Sequence, residues 1–224
     1  MEYQLNFRVN NNIYIRDPES SELGKEIVRK AIELIYEIGY EHFTFKKLAT
    51  EVGTTEASIY RYFKNKHFLL VYILNWYWSY LEFLVMFQLK NINDPQLKIR
   101  KVIELLTREL PTDSGRIKYN ISFLNQIVIT ESSKVYLVKE IKEINQAEVF
   151  KQFKDLCNTI STIVLELNPQ YPYPHSLSST LIETSHNQQF FSSNLKRLTD
   201  VKTNEDVSGY VAAYLEDLVF RVLK

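Results

Sequence analysis

Residues 44–66, TFKKLATEVGTTEASIYRYFKNK, constrain this chain more than any other stretch. Two short amphipathic runs flank Gly53, and the second ends in a Tyr/Arg/Lys cluster. Thr44 suits the start of one helix and Thr54 or Thr55 the start of the next, since a side-chain oxygen there accepts from a free backbone amide. If Phe45 is the first of the twenty positions of a helix-turn-helix, Ala49 is the fifth, where two helices cross and a larger side chain would push them apart. Gly53 is the ninth, where the tight turn needs a positive φ, and Ile59 is the fifteenth, packing the second helix back on the first. Leu48, Val52 and Phe63 complete a small core. This build is one that places a helix in the DNA major groove.

The flanking sequence extends the pattern. Asp17-Pro18-Glu19 has the composition of a helix start. Ile27, Ala31, Leu34, Ile35 and Ile38 share the face of a helix expected to run from there to Ile38, with Gly39 ending it. Residues 3–16 alternate apolar and polar around Asn10-Asn11-Asn12, and are open between a small hairpin and an arm lying on the body. Helical patterns fill 68–89, 94–110 and 117–130, continue through 142, and return over 146–167, 175–198 and 205–223. The proline-punctuated NPQYPYP at 168–174 is a break. The expected fold is all-α: a three-helix helix-turn-helix head plus a larger helical domain, about nine helices in total. Residues 1–16 form a tail or hairpin, 17–67 the head and 68–224 the larger helical domain.

The 27 basic and 27 acidic residues cancel, so charge must be read locally. Between 44 and 67, Lys46, Lys47, Arg61, Lys64 and Lys66 outnumber Glu51 and Glu56. The single cysteine, Cys157, excludes an intrachain disulfide framework and a Cys-rich zinc module, and is expected to be a buried, inert thiol. The most apolar stretch, 68–89, is interrupted by Asn75, Ser79, Glu82 and Gln88, and the N-terminus lacks a basic-then-apolar leader. A cytoplasmic location and no membrane partner are expected. The four histidines (His42, His67, His175, His186) are scattered, and no HExxH, phosphate-loop, GxSxG or dinucleotide motif occurs. Glu183 and His186 share a helix face, which suits a surface or interface pair better than acid–base work. No catalytic residue, metal or cofactor is expected.

The full set of marks is Gly39-Tyr40, Thr44, Leu48-Ala49, Gly53, Ile59-Tyr60, Tyr62-Phe63, Lys64-Asn65-Lys66 and Leu69-Leu70. In these, residues 22–72 resemble the DNA-binding domain of the TetR family of bacterial transcriptional regulators. The resemblance implies a homeodomain-like head and, over 68–224, a helical regulatory domain for ligand binding and dimerisation. It further implies a homodimer on a near-palindromic double-stranded operator, acting as a repressor and released by an unknown small-molecule effector, apolar or aromatic, in the C-terminal domain. By the same resemblance Thr44, Tyr60 and Lys66 take phosphates, and Thr54 and Thr55 reach bases or backbone. Ala57 and Ser58 face the groove, Arg61 reads a guanine or pairs with phosphate, and Lys46 and Lys64 add positive charge. Glu56 and Tyr62 depart from the family pattern. Glu56 is open between accepting from a cytosine amino group and complementing the helix dipole, and Tyr62 between touching phosphate and packing.

Farther on, Asn75, Ser79 and Glu82 form one stripe on a helix apolar nearly all round. The stripe is open between the polar lining of a ligand cavity and a solvent-exposed seam. The cavity reading takes Trp76, Ser79, Glu82, Phe83, Phe123 and Gln126 as its residues. The resemblance places dimerisation on the last two long helices, with Leu181, Phe190, Tyr210, Tyr214 and Leu218 as candidates. The stripe Val207, Tyr210, Val211, Tyr214, Leu218 and Val222 serves equally to pack within its own subunit. The alternative function is an all-helical sensor or interaction protein with a vestigial helix-turn-helix and no specific operator.

Overall fold

A computed structural model describes residues 7, 9–110, 117–139, 141–146, 148–202 and 205–224. The described residues are all-α, in the order α1 (Glu22–His42), α2 (Phe45–Val52), α3 (Glu56–Tyr60), α4 (Lys66–Leu89), α5 (Pro95–Thr107), α6 (Ile121–Glu131), α7 (Ser133–Tyr136), α8 (Ile141–Gln146), α9 (Lys151–Leu167), α10 (Pro174–Asn194) and α11 (Val207–Val222). Contacts group the chain into two compact units. One comprises residues 1–79 and 111–151, the other residues 80–110 and 152–224.

In the first unit, helix α1 begins at Glu22 and not at Asp17. The Asp17 carboxylate instead caps a separate 3-10 turn, Pro18–Ser20, and Ser21 caps α1 by accepting from the Gly24 amide at 3.1 Å. Gly24 lets the two pieces meet: a Cβ there would lie 2.3 Å from the Pro18 carbonyl oxygen. The inward face of α1 carries Ile27, Val28, Ala31, Ile32 and Ile35, all buried. Its outer face carries Glu22–Lys25, Arg29–Glu33 and Lys30–Glu33 pairs at i,i+3 and i,i+4 spacing, solvent-screened and individually weak. Gly39, at φ 74° and ψ 156°, breaks the helix before its last residues.

The N-terminal segment is an arm where it is described, and residues 1–6 and 8 of the hairpin reading lie outside the described residues. Asn11–Ile13 is a 3-10 turn, Val9 and Ile13 are buried, and the Ile15 amide donates to the Tyr62 carbonyl at 2.7 Å. Phe7 packs edge-on against Trp76, whose other side meets Tyr119 edge-on. Residues 66–79 of α4 fill this unit's core, with Tyr72, Trp76, Tyr77 and Trp78 all buried. A ring burying about 200 Å² contributes up to ~5 kcal/mol at roughly 25 cal/mol per Å². Asn75 is fully buried, which overturns the solvent-seam reading at that position. Its Nδ2 donates to the Val71 carbonyl at 2.8 Å, while Oδ1 has no hydrogen-bond partner among the described residues. By length and hydropathy α4 reaches the range of a membrane span, but 78% of its most apolar window is buried within the protein.

In the second unit α5, α10 and α11 pack on one another. Helix α10 turns Ser178, Ser185 and Ser192 inward at a spacing of seven, and each hydroxyl donates back to a carbonyl of its own helix at 2.7–2.8 Å. The face is therefore small and internally satisfied, as close helix packing requires. Pairs Lys98–Glu166 and Arg100–Glu216 tie α5 to α9 and to α11. The helical pattern expected over 175–198 stops at Asn194, and Lys196–Leu198 is a 3-10 turn.

Candidate nucleic-acid interface

Thr44 and Thr55 place the two helices of the motif. The Thr44 hydroxyl oxygen accepts from the Lys47 amide at 3.2 Å, and the Thr55 hydroxyl oxygen accepts from the Ser58 amide at 3.2 Å. Gly53, at φ 70° and ψ 38°, closes α2, and its amide donates to the Thr50 carbonyl. Phe45, Leu48, Ala49, Ile59 and Phe63 are buried between the helices, and Phe63 meets Tyr72 of α4 edge-on. Helix α3 is only five residues long, so its position depends on this packing and not on its own hydrogen bonds.

The packing leaves one polar face uncovered. Thr44, Lys46, Thr55, Glu56, Ala57, Tyr60, Arg61 and Lys64 are exposed, and Thr54 and Ser58 half-exposed. Lys46, Arg61 and Lys64 are exposed cations of the head, and the Glu56 carboxylate sits in the first turn of α3. The Ser58 hydroxyl lies 3.0 Å from that of Thr55. The Tyr60 ring packs edge-on against Phe45 yet is 48% exposed. An anchored ring of this kind offers its hydroxyl at little entropic cost.

Two candidates stand elsewhere. Tyr62 is 2% exposed and its hydroxyl shares a 2.7 Å hydrogen bond with that of Ser21, so it packs within the head and does not reach outward. The Lys66 ammonium donates to the carbonyls of Tyr40, Glu41 and Phe43 at 3.1, 3.4 and 3.2 Å, and lies 4.5 Å from the Tyr40 ring centroid. Sequence reasoning passed over Glu131. It is buried, and its Oε1 accepts from the Tyr40 amide at 3.4 Å across 91 positions of sequence. No short-range pattern signals such a contact.

The other candidates divide between the units. Trp76, Ser79, Phe123 and Gln126 belong to the first, Glu82 and Phe83 to the second. Trp76 packs against Phe7 and Tyr119, whereas Phe123 stacks on Tyr36 of α1 at 3.9 Å. Gln126 is exposed, and Phe83 stacks on Phe87. In α11, Val211, Leu215 and Val219 pack inside the unit, while Tyr214 and Val222 are 41% and 42% exposed and Tyr210 and Leu218 half-buried. Phe190 is half-buried on α10. Leu181 is fully buried within its own unit and is not available to a second subunit. Burial also pushes the Cys157 thiol up to about 11, which keeps it protonated.

Residues 27–73 match the family model of bacterial regulatory proteins, tetR family. No curated protein matches the chain. Among solved structures, the transcriptional regulator FadR from Bacillus subtilis in complex with stearoyl-CoA is 19% identical, with a TM-score of 0.60 over 87% of this chain and 96% of that one. AibR in complex with isovaleryl coenzyme A and operator DNA is 17% identical, with a TM-score of 0.58 over 89% and 98%. The superantigen PfiT is 17% identical, with a TM-score of 0.57 over 92% and 97%. The head is of the TetR type, and the described chain has the all-α fold of that family's regulators. The range of roles printed for these three proteins shows that the fold alone does not decide function.

Proposed function

We propose that this protein is a DNA-binding transcriptional regulator, acting as a homodimeric repressor on a near-palindromic operator. One observation carries the reading. A packed, doubly capped helix-turn-helix leaves Thr44, Lys46, Thr55, Glu56, Ala57, Tyr60, Arg61 and Lys64 exposed. Arg61 on a guanine edge and Ala57 on a thymine methyl would supply base readout, and Glu56 would select a cytosine amino group over the acceptor groups of other bases. Thr44, Tyr60, Lys46 and Lys64 would fix register on phosphates. Thr54 and Ser58, partly covered, would contribute at the groove's edge.

The uncovered residues Tyr214 and Val222 of α11, with the half-buried Tyr210, Leu218 and Phe190, are the surface through which two copies would pair. Such a pair sets the two recognition helices about one DNA turn apart. The effector is a small apolar or aromatic molecule held in the C-terminal domain. FadR and AibR are each described with an acyl-coenzyme A, stearoyl-CoA and isovaleryl coenzyme A, whose acyl chains are the apolar part of a charged molecule. Effector binding would favour a spacing of the two heads that no longer fits both half-sites.

A gel shift on duplex DNA from upstream of its own gene, titrated with salt, tests the reading. A sequence-specific shift that weakens steeply with salt is expected. An intact dimer that binds this DNA no better than random duplex would overturn it.

A further inference from the structure

Gly39, Glu131 and Lys66 all bear on the backbone of Tyr40. Gly39 leaves the helical conformation just before Tyr40, and the carbonyls that follow lie at the helix end, where intrahelical donors run out; the Tyr40 carbonyl accepts from the Phe43 amide at 3.3 Å. Two charged side chains from distant parts of the first unit bond to this backbone as well. From α6, buried Glu131 accepts from the Tyr40 N–H with Oε1, while its Oε2 pairs with Lys134 at 2.8 Å. Lys134 also holds Glu41 at 2.8 Å. From the start of α4, Lys66 donates to the carbonyls of Tyr40, Glu41 and Phe43. An ammonium has three hydrogens to donate, and three carbonyls take them. The Tyr40 ring covers the cation at 4.5 Å, and Tyr40 itself is buried. Immediately beyond this clamp the chain reaches Thr44, which caps α2 and opens the uncovered face.

We propose that Lys66 and Glu131 are positioning residues for DNA binding, holding the C=O and the N–H of Tyr40, in the two peptide units on either side of its Cα, and so setting where the helix-turn-helix begins. Lys66 acts through Thr44 and α2 and not by touching a phosphate. This assignment rests on the DNA-binding reading and deepens it. It also gives α6 a direct hold on the first residue after the break in α1, so a displacement of α6 reaches the DNA-facing helices through one carboxylate.

The test uses the full chain and the upstream duplex, with affinity measured across a salt series for wild type, Lys66→Met, Glu131→Ala, Glu131→Gln and the Lys66→Met/Glu131→Ala double variant. Circular dichroism confirms that each is folded at the assay temperature. Lys66→Met and Glu131→Ala should each bind about tenfold more weakly, as loss of a charge-assisted hydrogen bond does. Both should keep the wild-type slope of log affinity against log salt. The double variant should lose far less than the product of the two, since both residues hold the backbone of one residue, Tyr40. Glu131→Gln, which retains an acceptor for the Tyr40 amide, should recover most of the loss. Amide exchange at Tyr40 should quicken in Glu131→Ala without DNA present. A salt slope reduced by about 0.9 in Lys66→Met would make Lys66 a phosphate contact and overturn the assignment. Full additivity, or unchanged Tyr40 exchange, would overturn it as well. If wild type itself fails to shift the duplex, the DNA-binding reading falls and the assignment with it. If wild type shifts and the variants match it, only the assignment falls.

Discussion

Gly39 and Gly53 both have positive φ, and neither has an atom within 4 Å of where a Cβ would sit. Any cost of substitution is therefore backbone conformation alone, and the two sites differ in ψ. Gly53, at ψ 38°, lies in the left-handed helical well, which asparagine enters routinely. Gly39, at ψ 156°, lies in a region open essentially to glycine, where another residue costs about 1–3 kcal/mol. Removing a glycine from the unfolded chain returns about 0.4–1 kcal/mol. Gly53→Asn should thus be close to neutral, and Gly39→Asn should destabilise by about 1–2 kcal/mol net. For a chain of this length each kcal/mol moves the melting temperature by about 2–4 °C, so the two variants should separate by several degrees in calorimetry. Urea midpoints should give the same order. Gly39→Asn should also speed exchange of the Tyr40 amide, whose bond to Glu131 depends on the break. Equal melting temperatures for the two asparagine variants would show that the conformation at Gly39 is not what holds this junction.

Gly24→Ala should cost more than either, because its Cβ would lie 2.3 Å from backbone that cannot rotate away; a melting temperature within a degree or so of wild type would refute this. Tyr62→Phe removes the hydroxyl bonded to Ser21 and should lower stability by about 0.5–1.5 kcal/mol in urea melts, while leaving the salt slope of DNA binding unchanged. His186 is buried and its imidazole is pushed down to about 4 by that burial. The native state stays neutral while the unfolded chain takes up a proton near its ordinary value, so stability is full above about 6.5 and falls as pH drops toward about 4. Melting temperatures of His186→Leu should fall less than those of wild type across that window, and parallel curves would refute the linkage.

Much of the head is legible in order of residue type. Thr44, Ala49, Gly53, Thr55 and Ile59 act through caps, a crossing and a turn, all set within a few residues of chain, and short-range geometry is what spacing encodes. The misread start of α1 shows the limit of the same logic. Asp17-Pro18-Glu19 does cap a turn, but the turn stops after Ser20 and Ser21 begins the helix anew. Both starts satisfy the same composition rule, and the close approach of Gly24 to Pro18 selects between them. Asn75 on α4 shows a different limit. Asn75 looks like a solvent-facing polar residue by periodicity, yet it is buried because α4 has almost no polar face to turn outward.

The sequence alone determined that the chain is all-α, that two short helices meet at Gly53, and that Thr44 and Thr55 begin them, because each rests on backbone hydrogen bonds closed within one or two turns. Tertiary structure alone decided which side chains remain for a partner. Tyr60 and Tyr62 are two positions apart with the same chemistry; one stays uncovered and the other spends its hydroxyl on Ser21. Lys64 and Lys66 are likewise two apart; one is exposed and the other is committed to three carbonyls. Those assignments depend on groups 23 to 41 positions away, which no local pattern of residues specifies.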